Sequence, residues 1–182
     1  LPGGAIENQT VWAHLIGTAR RAGECLRSVG LEKTAYLAGL LHDMGKFTAE
    51  FQRYLAQGDR SKRGSVIHTF QGCRYVMERY HHEGAPALSV IAAELISFAI
   101  GAHHGLFDCV DPARKIGLQY RAEKENISCD EALRGFFSQE ISEEEIDRLF
   151  FAASGELDPI IEQLERTYAD DREYFFAVGL LA

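Results

Sequence analysis

The chain lacks the signatures that would place it outside the cell or in a membrane. Its four cysteines, Cys25, Cys73, Cys109 and Cys129, lie far apart and form no C-x-x-C motif. They read as reduced, mostly buried thiols of a cytoplasmic protein. No signal-peptide pattern opens the sequence. The most apolar stretch, Ala85 to Ala102, contains Pro86 and Glu94, so it reads as a buried helix and not a membrane span. There is no segment of strand-like alternation, no repeat and no low-complexity run. A basic excess is also missing: the net charge is −8, which at first argues against a polyanionic partner.

The charge is unevenly spread, however. Residues 123–173 carry 16 acidic and 5 basic side chains, whereas the rest carries 11 acidic and 14 basic. Local field steers a polyanion, not total charge, and bound cations would add to it. With 46% hydrophobic and 25% charged residues in 182, the composition is that of one globular domain with a substantial core. The chain opens Leu-Pro-Gly-Gly without Met, and its last apolar residues, Val178, Leu180 and Leu181, meet no C-cap. We therefore expect residues 1–182 to be a single domain of a longer protein, cut at its C-terminal side.

The apolar periodicity is helical almost throughout. Val11, Leu15, Ala19, Ala22, Leu26 and Val29 recur every three or four residues, one apolar stripe with Thr10 as N-cap and Gly30 as C-cap. A short helix over Lys33 to Asp43 is broken by Gly45. Thr48 caps the next, with Phe51 and Leu55 inward. Residues 57–65 form a polar loop holding Arg60, Lys62 and Arg63. Helices over Ile67 to His82 and from Pro86 to a histidine doublet follow. Leu106 to Gln119 is irregular, with Asp108, Asp111 and Pro112 as breakers. Ser128-x-x-Glu131 and Ser142-x-x-Glu145 read as capping boxes. A further helix spans Leu157 to Tyr168, and a last one starts near Asp170 or Asp171. The expected fold is a compact all-α bundle.

The chemistry is concentrated in histidine. His42-Asp43 ends an apolar helix and is followed by Met44-Gly45-Lys46. Neighbours on a helix point about 100° apart, so two adjacent residues can grip one ion only at a helix end or bend, which Gly45 provides. His14 borders the first apolar stripe, His68 lies at a helix start, and His103-His104 ends an apolar helix before Gly105. Imidazoles with one carboxylate able to bridge suit a pair of divalent cations, a common arrangement for cleaving phosphate esters. The other doublet, His81-His82, sits among Arg79, Glu83 and Gly84 and reads as an exposed helix end.

The order H…HD-x-GK…H…HH resembles the HD phosphohydrolase superfamily. More narrowly it resembles the HD nuclease domain of the CRISPR-associated helicase–nuclease of type I systems. The matching residues are Leu41-His42-Asp43-Met44-Gly45-Lys46 with Phe47 and Phe51, His68 with Gly72, and Ala102-His103-His104-Gly105 with Leu106 and Asp108. The resemblance implies a two-metal nuclease of single-stranded DNA. It would act with a superfamily-two helicase, in the same chain or as a partner, at a CRISPR surveillance complex. It also implies His14, His42 and Asp43 as ligands of one metal. Asp43, His68, His103 and His104 would serve the other, and Lys46 would contact the phosphate. The family closes its first metal site with an aspartate in a late helix, whereas residues 174–182 contain no aspartate, and Asp170 and Asp171 at that helix's start are not read as substitutes.

The expected centre thus holds two divalent ions (Mn²⁺, Mg²⁺, Fe²⁺, Co²⁺ or Ni²⁺), with its histidines favouring the transition metals. Asp43 and Lys46 are the expected catalytic residues; Lys46, Arg60, Lys62 and Arg63 are the expected contacts to the nucleic-acid backbone. Two other readings remain open. One is a phosphohydrolase of nucleotides or cyclic nucleotides on the same scaffold, and the other is a non-catalytic HD docking module.

Overall fold

The first helix, α1 (Val11–Leu26), begins as its sequence predicts: the Thr10 hydroxyl accepts a hydrogen bond from the Ala13 amide at 3.0 Å. Leu15 and Ala19 of the stripe are buried, as is Gly23, whereas Leu26 and Val29 are exposed. A 3₁₀ turn over Arg27–Val29 follows and closes at Gly30, whose φ is 77°. The computed structural model describes residues 9–57, 66–106, 109–111, 116–123, 128–168 and 170. The basic loop residues Arg60, Lys62 and Arg63, the breakers Asp108 and Pro112, Asp171 and the final apolar stretch lie outside the described residues.

Helix α2 (Glu32–Leu41) is central. It buries Ala35, Leu37, Gly39, Leu40 and Leu41 and packs against α1, α5 (Ala87–Gly101) and α8 (Glu143–Thr167). A helix apolar on so many sides belongs in the interior. The remaining helical elements are a 3₁₀ turn (Met44–Phe47), α3 (Ala49–Gln57), α4 (Phe70–Tyr80), α6 (Leu118–Ala122) and α7 (Cys129–Phe137). Leu15, Leu37, Leu40, Leu41, Met44, Val76, Ile96, Ile100, Phe136, Ile146 and Phe150 are fully buried in one core. Each such side chain contributes about 1.5–3 kcal/mol by leaving water. Among the described residues no helix is long and apolar enough to cross a membrane.

The domain is all-α, as expected, with departures that have physical causes. Two short strands, β1 (Val110–Asp111) and β2 (Ile116–Gly117), pair antiparallel within the stretch expected to be irregular, and α6 begins at its end, at Leu118. Leu55 is exposed rather than inward; Phe51 alone anchors α3. The helices expected separately from Ser142 and over Leu157 to Tyr168 are one 25-residue helix that runs through Pro159. Proline removes one backbone hydrogen bond, but Ala153, Leu157 and Ile161 remain buried on both sides of it. The Ser142–Glu145 capping box forms. The Ser128 box does not: Glu131 instead accepts the Ala49 amide at 2.9 Å and so caps α3 from another part of the chain.

Candidate metal centre

Helix α2 ends inside the molecule, so the residues at its end emerge there too. His42 keeps helical backbone angles and Asp43 leaves them, at φ −119° and ψ 28°. That bend lets neighbouring side chains converge, with His42 Nε2 2.9 Å from Asp43 Oδ2. Gly45 then donates its amide to the His68 carbonyl at 3.2 Å. A Cβ at Gly45 would collide with the backbone of His68 and the side chain of Gln71, and one at Gly72 would collide with the Leu41 carbonyl. Only glycine allows the start of α4 to lie this close to the end of α2, and this approach delivers His68. His14 arrives from the first turn of α1, and His103 and His104 from the turn after α5.

Asp43, 2% exposed, is the centre. Its Oδ2 faces His14 Nε2 at 3.0 Å, His42 Nε2 at 2.9 Å and Lys46 Nζ at 2.6 Å. Its Oδ1 has His68 Nε2 and His103 Nε2 each at 3.6 Å, beyond hydrogen-bond reach, and is buried without a hydrogen-bond partner. His104 Nε2 lies 3.2 Å from His68 Nε2. All six residues expected as ligands thus come together with Lys46. Two subsets have donor atoms mutually within 4.8 Å: His14, His42 and Asp43, and Asp43, His68 and His104. His103 stands beside the second.

The far nitrogens of these rings decide what the near ones offer. Nδ1 of His42 lies 2.7 Å from the Gly39 carbonyl, that of His68 2.9 Å from the Val66 carbonyl, and that of His103 2.6 Å from the Ile100 carbonyl. A carbonyl only accepts, so each Nδ1–H donates and each neutral ring presents a lone pair at Nε2. Those lone pairs face a carboxylate and one another. Acceptors held together at such distances repel unless a proton or cation sits between them, and an unpartnered buried carboxylate oxygen is costly. The donor set therefore fits divalent cations, and the carbonyls act as the outer partners that orient metal-binding imidazoles.

The electrostatics agree for Asp43, His68 and His104 and run the other way for His103. Burial opposes the Asp43 charge, but the His103 and His42 imidazoles and the Lys46 ammonium outweigh it and hold the carboxyl well below the usual carboxylate range. Burial pushes His68 down, and burial with the neighbouring His103 and His68 pushes His104 down. Both shifts favour the neutral ring, the form that ligates metal. Burial also lowers His103, but Asp43 and the Ile100 carbonyl outweigh it and raise the ring overall.

The control doublet stays outside the cluster: His81 pairs with Glu94 at 3.0 Å and His82 is exposed. One contributor has a larger part than the sequence suggested. The Phe51 ring meets the His68 ring at a tilt of 51°, with centroids 4.6 Å apart, and lies 5.8 Å from Lys46 Nζ. Its place in the H-D-x-G-K-F…F pattern was visible, but its contact with His68 is set by how α3 packs.

No curated protein and no solved structure matches the chain. A family model does match, that of the HD domain, over residues 11–133. This span covers most of the chain and every residue of the cluster, and the chain therefore belongs to the HD domain family.

Proposed function

We propose that the chain is a metal-dependent nuclease that hydrolyses phosphodiester bonds of single-stranded DNA in CRISPR interference, together with a superfamily-two helicase. HD domains are in general metal-dependent phosphohydrolases, and the nuclease reading goes a step further. The observation that carries it is Asp43, a buried carboxylate ringed by five imidazoles, with one oxygen unpartnered and a lysine on the other. In this reading His14, His42 and Asp43 hold one divalent ion, and Asp43, His68, His103 and His104 hold the other. Bound divalent ions supply Lewis-acid stabilisation of a phosphoryl oxygen and a nucleophile at neutral pH.

The chain's own residues do the rest. Asp43 contributes a carboxylate that stays ionised at neutral pH and can serve both ions. The backbone-anchored imidazoles keep their Nε2 atoms aimed inward without reorganising. Lys46 offsets charge that builds on the phosphoryl oxygens. Leu41 and Met44, the chain neighbours of His42 and Asp43, are fully buried, and an apolar setting strengthens each of these interactions. The His14 side chain is 35% exposed and His104 is exposed, so the cluster reaches the surface, where a polymer can approach it. Arg60, Lys62 and Arg63 are proposed to guide the strand's backbone.

The test is degradation of circular single-stranded DNA with Mn²⁺, Ni²⁺ or Mg²⁺, with and without EDTA, beside a nucleotide and cyclic-nucleotide panel. The proposal predicts metal-dependent cutting of the circle. Phosphate or nucleoside release from the panel with an intact circle would assign a small-molecule phosphohydrolase instead. No turnover with either would favour a docking module.

A further inference from the structure

The two oxygens of Asp43 are not equivalent. Oδ2 already faces a cation, the Lys46 ammonium at 2.6 Å, besides His14 and His42. Among the described residues Oδ1 has no such neighbour; it is buried, unpartnered and flanked by His68 and His103. The backbone of Lys46 is pinned: its amide donates to the Asp43 carbonyl at 2.9 Å, and its carbonyl accepts from Gln52 Nε2 at 2.7 Å. The side chain, 22% exposed, is free of those bonds and has a path to solvent.

We propose that Lys46 is a built-in counter-cation that guards the His14–His42 half of the centre. This rests on reading the cluster as a two-ion site. The Oδ1 half, with His68 and His104, loads first because no charge has to leave it. The Oδ2 half loads only as Lys46 gives up its contact with Asp43, since an ammonium and a divalent ion on one carboxylate oxygen repel. The freed ammonium is then a ready partner for a phosphate oxygen. Substrate phosphate that captures Lys46 would favour loading of the guarded half, and loading would favour substrate, by the reciprocity of coupled binding. One lysine would thus join full metal loading to the presence of a phosphodiester.

The test is calorimetric titration of the metal-stripped 182-residue chain with Mn²⁺ alone, on wild type, Lys46→Met, Lys46→Gln and Lys46→Arg, with helicity checked for each. Wild type is expected to show a tight and a weak class of site. His14→Ala should remove the weak class and His68→Ala the tight one. In the neutral variants the weak class should tighten about tenfold or more and the tight class by less than about threefold, within the usual range of coupling between sites. Lys46→Arg should keep the two classes apart. Two equal classes in wild type, or equal tightening of both classes in Lys46→Met and Lys46→Gln, would overturn the guarding role. No Mn²⁺ binding by folded wild type would instead overturn the metal centre itself.

Discussion

Two part-buried charged clusters in this molecule use similar residues to opposite ends. Between α4 and α8, the Arg79 guanidinium donates to both oxygens of Asp147 at 2.6 and 2.7 Å and to Glu143 at 2.7 Å, and the Tyr80 hydroxyl donates to Asp147 at 2.6 Å. Tyr80 also stacks on Phe150 with ring centroids 3.6 Å apart. The Arg79 guanidinium and the Tyr80 hydroxyl there each meet an acceptor. Around Asp43, acceptors face acceptors: imidazole lone pairs converge on a carboxylate with one oxygen unpartnered. A saturated cluster holds helices together. An unsaturated one, kept so by backbone carbonyls that fix the His42, His68 and His103 rings, is arranged for something that binds.

The sharpest way to break this contrast is to remove one charged side chain from each cluster. Asp43→Ala is expected to lower metal-dependent hydrolysis by at least on the order of 10²–10³-fold. Its stability should stay within about 1 kcal/mol of wild type, because residues at functional centres are seldom optimised for stability. Initial rates and urea unfolding of the same preparation check both halves. A large loss of stability without loss of rate would erase the distinction.

Arg79→Ala should do the reverse. It strands Asp147 and is expected to cost about 1–3 kcal/mol, the range for hydrogen bonds to charged groups, with turnover per folded molecule unchanged. Its pH dependence sharpens the point. Arg79 first, with help from Tyr80 and against burial, holds the Asp147 carboxyl below its ordinary value. The folded value is thus below the unfolded one, about 3.9, so the stabilisation is complete above that pH and is lost as pH falls through the folded value. The stability gap between wild type and Arg79→Ala should be constant from about pH 7 to 5 and narrow below about pH 4, as urea midpoints across that range will read.

Smaller effects test the saturated side elsewhere. Glu156 on α8 accepts the amides of Lys33 and Thr34 at 2.8 and 2.9 Å and the Thr34 hydroxyl at 3.1 Å, which caps α2 where Leu31 offers no side-chain cap. Glu156→Ala is expected to cost about 1–2 kcal/mol. Ser142→Ala, which removes a solvent-facing local cap, should cost about 0.5–1 kcal/mol. Chemical denaturation ranks the pair, and the reverse order would show that the remote cap of the central helix matters less than its position implies.

These two caps also show what the sequence makes legible. Thr10 and Ser142 act within three residues, a distance that pattern reading covers. Glu156 and Glu131 act on amides 122 and 82 residues away, so nothing local announces them. Glu131 was drawn to Ala49, away from its own helix start. The histidine–aspartate cluster was legible because binding a metal would demand particular residue types, and His42-Asp43 with Gly45 betrays the bend that makes them converge. What stayed hidden was set by packing: the turn of Leu55 to solvent, the continuity of α8 through Pro159, and the unequal surroundings of the two Asp43 oxygens.

The most direct measurement of the central contrast is anomalous diffraction from crystals of the chain grown with Mn²⁺. The account predicts anomalous peaks beside Asp43 among the histidines, and none at Asp147 and Glu143 although those carboxylates are more exposed. Peaks at Asp147 and Glu143 with none at Asp43 would contradict it.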